Sequence, residues 1–504
     1  MVSKVRSLGL GGISGYEVSI ECYLSGGLPA FDIVGLPDTA VKEARERVRA
    51  ATKVCGMKFP VSRITVNLAP ADTRKAGTLY DLPVMLGILV GTGDIEPLPE
   101  SAAFIGELSL TGELRHVSGA LPMALTAGRV GITELYVPAE NANEASYAED
   151  VNVYPVEHIS QLLEHLRGGE KITPVLPCEP VRQLGFAPDF EDVKGQDNVK
   201  RALEIAAAGG HNILLLGPPG AGKSMMARRL ATILPDMSRE EMLETTEIHS
   251  VMGLTSRQNP IISIRPFRSP HHTVSSVAMA GGTTNPKPGE ISLAHNGVLF
   301  LDEMPEFNRE VLEVLRQPLE DGEVTISRAA SSVTYPSRFM LVCAMNPCKC
   351  GWYGHPSGRC TCTESSIARY HERLSGPLLD RLDMFIETPS LEYDELRQHR
   401  KSESSGDIRL RVNEAREKQR GRYVDTGIVS NAHIGTKQLE TYCALTTDCE
   451  ELMRAAYERL GMTARSYDRV LRVARTIADL AQADAIAAEH LAEAIQYRAN
   501  ILKK

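Results

Sequence analysis

Four apolar residues, Ile213–Leu216, run directly into Gly217-Pro218-Pro219-Gly220-Ala221-Gly222-Lys223-Ser224, and a helix-competent stretch from Met225 to Leu234 follows. No other feature constrains the fold as tightly. An unbroken apolar run closed by a Gly-rich turn is the pattern of a parallel strand buried on both faces, which requires helices on both sides of its sheet. Glycines at 217, 220 and 222 let backbone N–H groups close around an anion, and the N-terminus of the next helix adds its dipole. Strand, loop and helix in that order make a P-loop, with Lys223 reaching the β- and γ-phosphates and Ser224 holding Mg²⁺. ATP and Mg²⁺ are therefore the expected ligands of 217–224.

Two more apolar runs end in polar residues. Val298–Leu301 stops at Asp302-Glu303, a pair that fits a Walker B motif: Asp302 on the Mg²⁺ shell, Glu303 polarising the attacking water. Phe339 to Ala344 leads into Met345-Asn346-Pro347, where Asn346 is placed to orient that water.

At 504 residues the chain exceeds one hydrophobic core, and two to four domains are expected. No window holds the ~18 uninterrupted apolar residues of a membrane helix. Met1 to Arg6 is not followed by a signal-type apolar segment, so the expected location is cytoplasmic.

Residues 1–168 read as α+β. Ile64–Ala69 alternates and stops at Pro70, as a strand does; Asp38 precedes apolar positions 41, 44, 48 and 51, as a cap precedes an amphipathic helix; and 108–117 reads as a hairpin turning near Thr111-Gly112. Gly, Pro and charge without periodicity mark 169–188 as a linker. The P-loop domain then occupies 189–390, with its first helix at 198–208, and 391–504 is helical by pattern, ending in Ala-rich segments around 465–480 and 487–501.

A net charge of −9 argues against a surface that coats nucleic acid everywhere. Two segments nevertheless lack acids: 255–289 carries Arg257, Arg265, Arg268 and Lys287, and 324–349 carries Arg328, Arg338 and Lys349. Such strips suit a phosphate backbone; they are also what solvated loops or intersubunit ion pairs look like. The adjacent His271-His272 reads as polar packing rather than a metal site.

Cys348-x-Cys350 and Cys360-x-Cys362 place four thiols in a 15-residue span, with glycines at 351, 354 and 358 to fold it. Four soft ligands favour a structural Zn²⁺. The C-x-C spacing is tighter than the usual C-x₂-C, His355 is an alternative ligand, and a redox pair or plain reduced thiols are the other readings.

The order P-loop, LFLDE, AMNP and GPLLDRLD resembles the AAA+ superfamily, and FRSPHHTVS, PKPGEISLAHNGVLFLDEMPEF, NPCKCGWYGHPSGRCTCT and SGPLLDRLD resemble its magnesium-chelatase-like branch, within it the ComM/YifB family. That resemblance implies an α/β AAA+ core, a C-terminal helical lid and a ring, expected to be hexameric. It implies that Asn346 is a sensor 1 residue, that Arg381 is an arginine finger for a neighbouring subunit's ATP, and that Arg465 is a sensor 2 residue. Asp380 and Asp383 beside Arg381 suggest an ion pair instead, and Arg469 and Arg472 compete with Arg465 for its role. It also places the two basic strips in a helix-2 insert and a pre-sensor-1 hairpin facing a central pore, with Arg268 and Arg328 as the leading DNA contacts.

FIGELSLTGELRHVSGA and RKAGTLYDLPVMLG resemble the Lon-protease fold (ribosomal S5 domain 2-like). Leu79 stands near the place of that family's Ser nucleophile, and Gly119–Pro122 supplies no Lys, so no proteolytic dyad is expected. The implied function is an ATP-driven DNA motor, a branch-migration helicase of recombination or natural transformation working on single-stranded or branched DNA. A chelatase-type motor that remodels a protein partner is the alternative.

Overall fold

Asp38 begins the first helix as its pattern predicts. In the computed structural model, which describes residues 2–179, 188–282, 286–328, 331–390 and 402–498 (without the side chains of 328 and 331), its carboxylate accepts from Val41 N at 2.8 Å. Helix α1 (Thr39–Val54) then buries Val41, Ala44, Val48 and Ala51 on one face. Capping supplies about 1 kcal/mol, and burial of that stripe holds the helix chiefly against the helix at Asp81–Thr92.

The described residues form two compact units, one from Met1–Arg182 with Arg239–Ser263, the other from Gln183–Ser238 with Ile264–Lys504. The first is α+β, as expected. Strands β1 (Val2–Gly11), β2 (Ser14–Ser25), β3 (Ala30–Val34), β4 (Arg63–Ala69), β5 (Ala102–Phe104), β8 (Glu134–Pro138) and β9 (Asn152–Val156) form one sheet in the order β3-β4-β2-β1-β5-β8-β9. The short hairpin β6 (Glu107–Leu108) and β7 (Leu114–Arg115) turns at Gly112. Helices α2 (Asp81–Thr92), buried from Asp81 to Val90, and α3 (Ala120–Arg129) lie against β1 and β2; α4 (Ala139–Ala145) and α5 (Ile159–Leu166) complete the unit. Residues 169–179 are not a free linker, because Val175 N donates to Val153 O at 2.8 Å and extends the sheet edge; 180–187 lie outside the described residues.

The division at 189–390 also needs a correction. Helix α8 (Arg239–Val251) and the chain to Ser263 belong to the first unit. Glu144, almost fully buried, accepts from Leu121 N at 3.0 Å, from Thr255 Oγ1 at 2.6 Å and from Ser250 Oγ. Leu121, Tyr147 and Ile261 pack together beside Met242 and Leu243. A buried carboxylate needs its full set of donors, and here two of the three come from the returning segment.

The second unit is built on a five-stranded parallel sheet, β10 (Ile213–Leu216), β11 (Phe267–Arg268), β12 (Val298–Leu301), β15 (Met340–Met345) and β16 (Met384–Glu387), in the order β11-β12-β15-β10-β16. Strands β10, β12 and β15 are buried at every position, which is why they read as unbroken apolar runs. Helix α6 (Asp197–Gly209) ends at Gly210 with φ 73°, and α7 (Lys223–Ile233) follows β10. A two-stranded hairpin, β13 (Glu323–Arg328) and β14 (Ser331–Pro336), precedes β15. The helices Ser405–Arg422, Thr447–Leu460, Ala464–Leu480 and Ala488–Gln496 share one hydrophobic core with α6, α7 and the sheet; residues 391–401 and 499–504 lie outside the described residues.

Candidate active site

Because β10, β15 and β12 are neighbours, their C-terminal ends bring three separate motifs to one edge of the sheet. Gly220 and Gly222 take φ of 80° and 83°, the left-handed turn that lets α7 begin at Lys223 with its free N–H groups facing the loop. A cleft of about 380 Å³ opens there, lined by Pro219, Gly220, Gly222, Lys223, Ser224, Asp302, Glu303 and Asn346 among others. Lys223 Nζ donates to Gly217 O at 2.7 Å, Pro218 O at 2.9 Å and Asn346 Oδ1 at 3.0 Å. Burial pulls the Lys223 pKa below its ordinary value, against the opposing pull of Asp302 and Glu303. Ser224 Oγ donates to Asp302 Oδ2 at 2.6 Å, and Asp302 Oδ1 accepts from Glu303 N at 3.0 Å. A hydroxyl and a carboxylate at that separation are hard oxygen donors of the kind Mg²⁺ takes beside phosphate, so the residues present fit ATP with Mg²⁺.

Glu303 sits at φ 52° in the left-handed region, where a non-glycine residue costs about 1 kcal/mol or more. Its side chain is 59% exposed, with His272 Nδ1 3.9 Å from Oε2. A carboxylate held in a strained turn and open to water is free to engage a water molecule in the cleft. Asn346 is held from the far side, since Pro347 O is within 2.9 Å of His371 Nε2. His371 carries no local signal in the sequence, and His272, which reads there only as polar packing, meets Glu303 through the fold.

Arg381 and Arg465 are not in this cleft. They line a second one, of about 180 Å³, with Arg469, Arg472, Glu320, Asp380 and Asp468. Arg381 is 8% exposed and donates to Pro377 O at 2.6 Å, Arg316 O at 3.1 Å and Glu320. Its carboxylate partner is thus Glu320, not the neighbouring Asp380 or Asp383. Asp383 is buried against Arg469, His211 and Asn212 N–H; burial alone would raise its pKa, but these groups outweigh it and hold the carboxyl below the usual range. Arg465 is 67% exposed, with Nη1 4.0 Å from Asp380 Oδ2.

The first basic strip is divided between the two units, and its Arg265 and Arg268 are engaged within the fold. Arg257 belongs to one compact unit and Arg265 to the other, where Arg265 donates to Pro235 O at 2.6 Å and Asn296 O at 2.7 Å. Arg268 is corrected from a free basic group to an ion-pair partner: its fork meets Glu290 at 2.7 and 2.8 Å. The acid lies one residue beyond the strip's end at Gly289, so the count along the chain missed it. Arg328 closes strand β13, opposite Ser331, and its side chain lies outside the described residues.

The four cysteines do converge. Cys348 is fully buried, and the Sγ atoms of Cys348, Cys350, Cys360 and Cys362 all lie within 4.8 Å of one another. Three of the separations are 3.3, 3.8 and 3.7 Å. A tetrahedral ion with ~2.3 Å bonds to sulfur has edges of ~3.8 Å, whereas a disulfide is ~2.05 Å, so the donor set fits a metal better than a bridge.

Comparison with known proteins agrees with the geometry. Family models described as magnesium chelatase, subunit ChlI, match 189–396; subunit ChlI of Mg-chelatase matches 20–141; and the ChlI C-terminal model matches 402–498. The chain is 44% identical over 490 residues to the uncharacterized protein YifB of Salmonella typhimurium, covering 97% of this chain and 95% of that one. It is 44% identical over 502 residues to competence protein ComM of Haemophilus influenzae, covering 97% and 96%. The magnesium-chelatase 38 kDa subunit of Rhodobacter capsulatus is 25% identical over 201 residues, 37% of this chain and 54% of that subunit. With that identity along nearly its whole length, and with a parallel core sheet whose strand ends carry the P-loop, Asp302-Glu303 and Asn346, the chain belongs to the ComM/YifB family of magnesium-chelatase-like AAA+ proteins.

Proposed function

We propose that the protein is a ring-forming, ATP-hydrolysing DNA motor of the cytoplasm, a branch-migration helicase acting in homologous recombination or natural transformation. The observation that carries this reading is the separation of two half-sites. Lys223, Ser224, Asp302, Glu303 and Asn346 line one cleft, and Arg381 and Arg465 line another. A P-loop site that has no arginine of its own among the described residues is completed by a neighbouring copy, and such head-to-tail contacts close into rings, here expected to be hexameric.

In the reaction, Lys223 leaves the loop carbonyls for the β- and γ-phosphates of ATP, while N–H groups of 220–224 hold the same oxygens. Ser224 and Asp302 are the residues that would hold Mg²⁺, which when bound neutralises phosphate charge. Glu303 takes the proton of the attacking water as its oxygen bonds to the γ-phosphorus, and ADP leaves. Asn346 holds that water in line. Arg465 of one copy, and Arg381 on leaving Glu320, stabilise charge growing on the γ-phosphoryl group of the next.

The DNA part rests on the hairpin β13–β14, which carries Arg328, and on a relative named as a competence protein. Arg268 would reach DNA only by leaving Glu290, so the contact is assigned to Arg328. The cysteine set is assigned a structural Zn²⁺. The chelatase models favour a second reading, a motor that remodels a protein partner.

ATPase turnover of the full chain with and without forked or single-stranded DNA at low salt tests the proposal. Stimulation that fades as salt is raised supports it; turnover indifferent to DNA at every salt concentration rejects the DNA motor and leaves the protein-remodelling reading.

A further inference from the structure

The cysteine turn touches the nucleotide site. Gly351 has φ 85°, and a Cβ built on it would lie 2.4 Å from Pro219 Cδ and 3.0 Å from Cγ. The backbone between the first two cysteines and Trp352 is therefore pressed on the crest of the P-loop, and Pro219 itself lines the cleft. At its base the turn grows out of β15 through Asn346-Pro347, and Gly351 N donates to Cys348 O at 2.9 Å, closing the tight bend that aims Gly351 at Pro219.

We propose that this turn, ordered by its metal, is the outer wall of the P-loop, so that metal occupancy sets how tightly the chain holds nucleotide phosphate. The inference rests on the Zn²⁺ assignment above and adds its consequence. Between Cys350 and Cys360 the chain has Gly351, Gly354 and Gly358, all at positive φ, and a loop so rich in backbone freedom is held in one shape only if something ties its ends. Convergent thiolates repel one another unless a cation binds them, and metal binding supplies the ordering free energy. With the ion, Gly351 stays against Pro219 and the N–H groups of 220–223 stay aimed at the phosphates. Without it, the wall moves away and the loop must be ordered by the nucleotide itself, which weakens binding.

The turn carries its own reporter. Trp352 is the chain's one tryptophan, edge-on to His355 with ring centroids 5.0 Å apart and 5.2 Å from the Arg359 guanidinium. Its emission reports the order of the turn, and a change on adding nucleotide reports the contact with the loop.

The experiment uses the full chain: metal content by elemental analysis, ADP affinity by calorimetry, and Trp352 emission. These are measured on the purified protein, after chelation and dialysis, after zinc is restored, and on G351A. About one zinc per chain is expected, with ADP bound roughly tenfold or more weakly after its removal and recovered on its return. G351A keeps all four thiols, so it should retain zinc and still bind ADP more weakly, with far-UV circular dichroism confirming the fold. Zinc present but ADP affinity unchanged on its removal overturns the coupling while leaving the metal site. No zinc in the protein and none taken up overturns both.

Discussion

The Lys223 ammonium donates to the Asn346 side-chain oxygen at 3.0 Å, joining the P-loop to the end of β15 across 123 residues of chain. In the proposed reaction Asn346 lies where the γ-phosphate and its attacking water meet. Asn346→Ala should lower kcat about 10- to 100-fold while ADP affinity changes little, because orientation of the water is lost and the phosphate cradle is not. Steady-state turnover with calorimetric ADP titration checks this; equal losses in both would make Asn346 a structural residue only.

The two arginines first paired as DNA contacts should now behave differently. Arg328→Ala is expected to weaken DNA binding and reduce the salt slope by about 1, with stability unaltered. Arg268→Ala leaves Glu290 half-buried without its partner, and should cost about 1–3 kcal/mol in urea unfolding while DNA affinity holds. Fluorescence anisotropy beside urea titration separates them. An Arg268→Ala protein of normal stability that fails to bind DNA would restore that residue to the interface.

What was legible in the sequence followed from local patterning. The buried strands β10, β12 and β15 read as apolar runs, and their polar ends marked Lys223, Ser224, Asp302, Glu303 and Asn346. Asp38 announced α1 as a cap whose donor partner, Val41 N–H, lies three residues on. Pairings set by folding were hidden. Glu144 gathers Ser250 and Thr255 from more than 100 residues away, which moves 239–263 into the first unit. Arg381 finds Glu320, 61 residues back, and Gly351 finds Pro219, with no periodicity to mark either contact.

His211 should make the protein acid-sensitive. It is fully buried, and burial brings its pKa down to about 4 from the ordinary 6.5. Below pH 6.5 the unfolded chain takes up a proton that the folded one refuses, so the stability is complete above 6.5 and is lost as pH falls toward 4. Between pH 7 and 5 this one residue should remove about 2 kcal/mol, read as a shift of the urea midpoint. His211→Gln should reduce the slope across that window, leaving the share of His433, whose pKa burial likewise brings down to about 4; an unchanged slope would assign the acid sensitivity elsewhere.

In the proposed ring each ATP is hydrolysed by residues from two copies. Glu303→Gln keeps Arg381 but cannot activate water, and Arg381→Ala keeps Glu303 but offers its neighbour no finger; each alone should be nearly inactive. Mixed one to one and allowed to reassemble, about a quarter of the sites pair an intact Glu303 with a neighbour's Arg381, so turnover should recover to about that fraction of the unaltered protein. A mixture no more active than the sum of its two components would contradict the shared site.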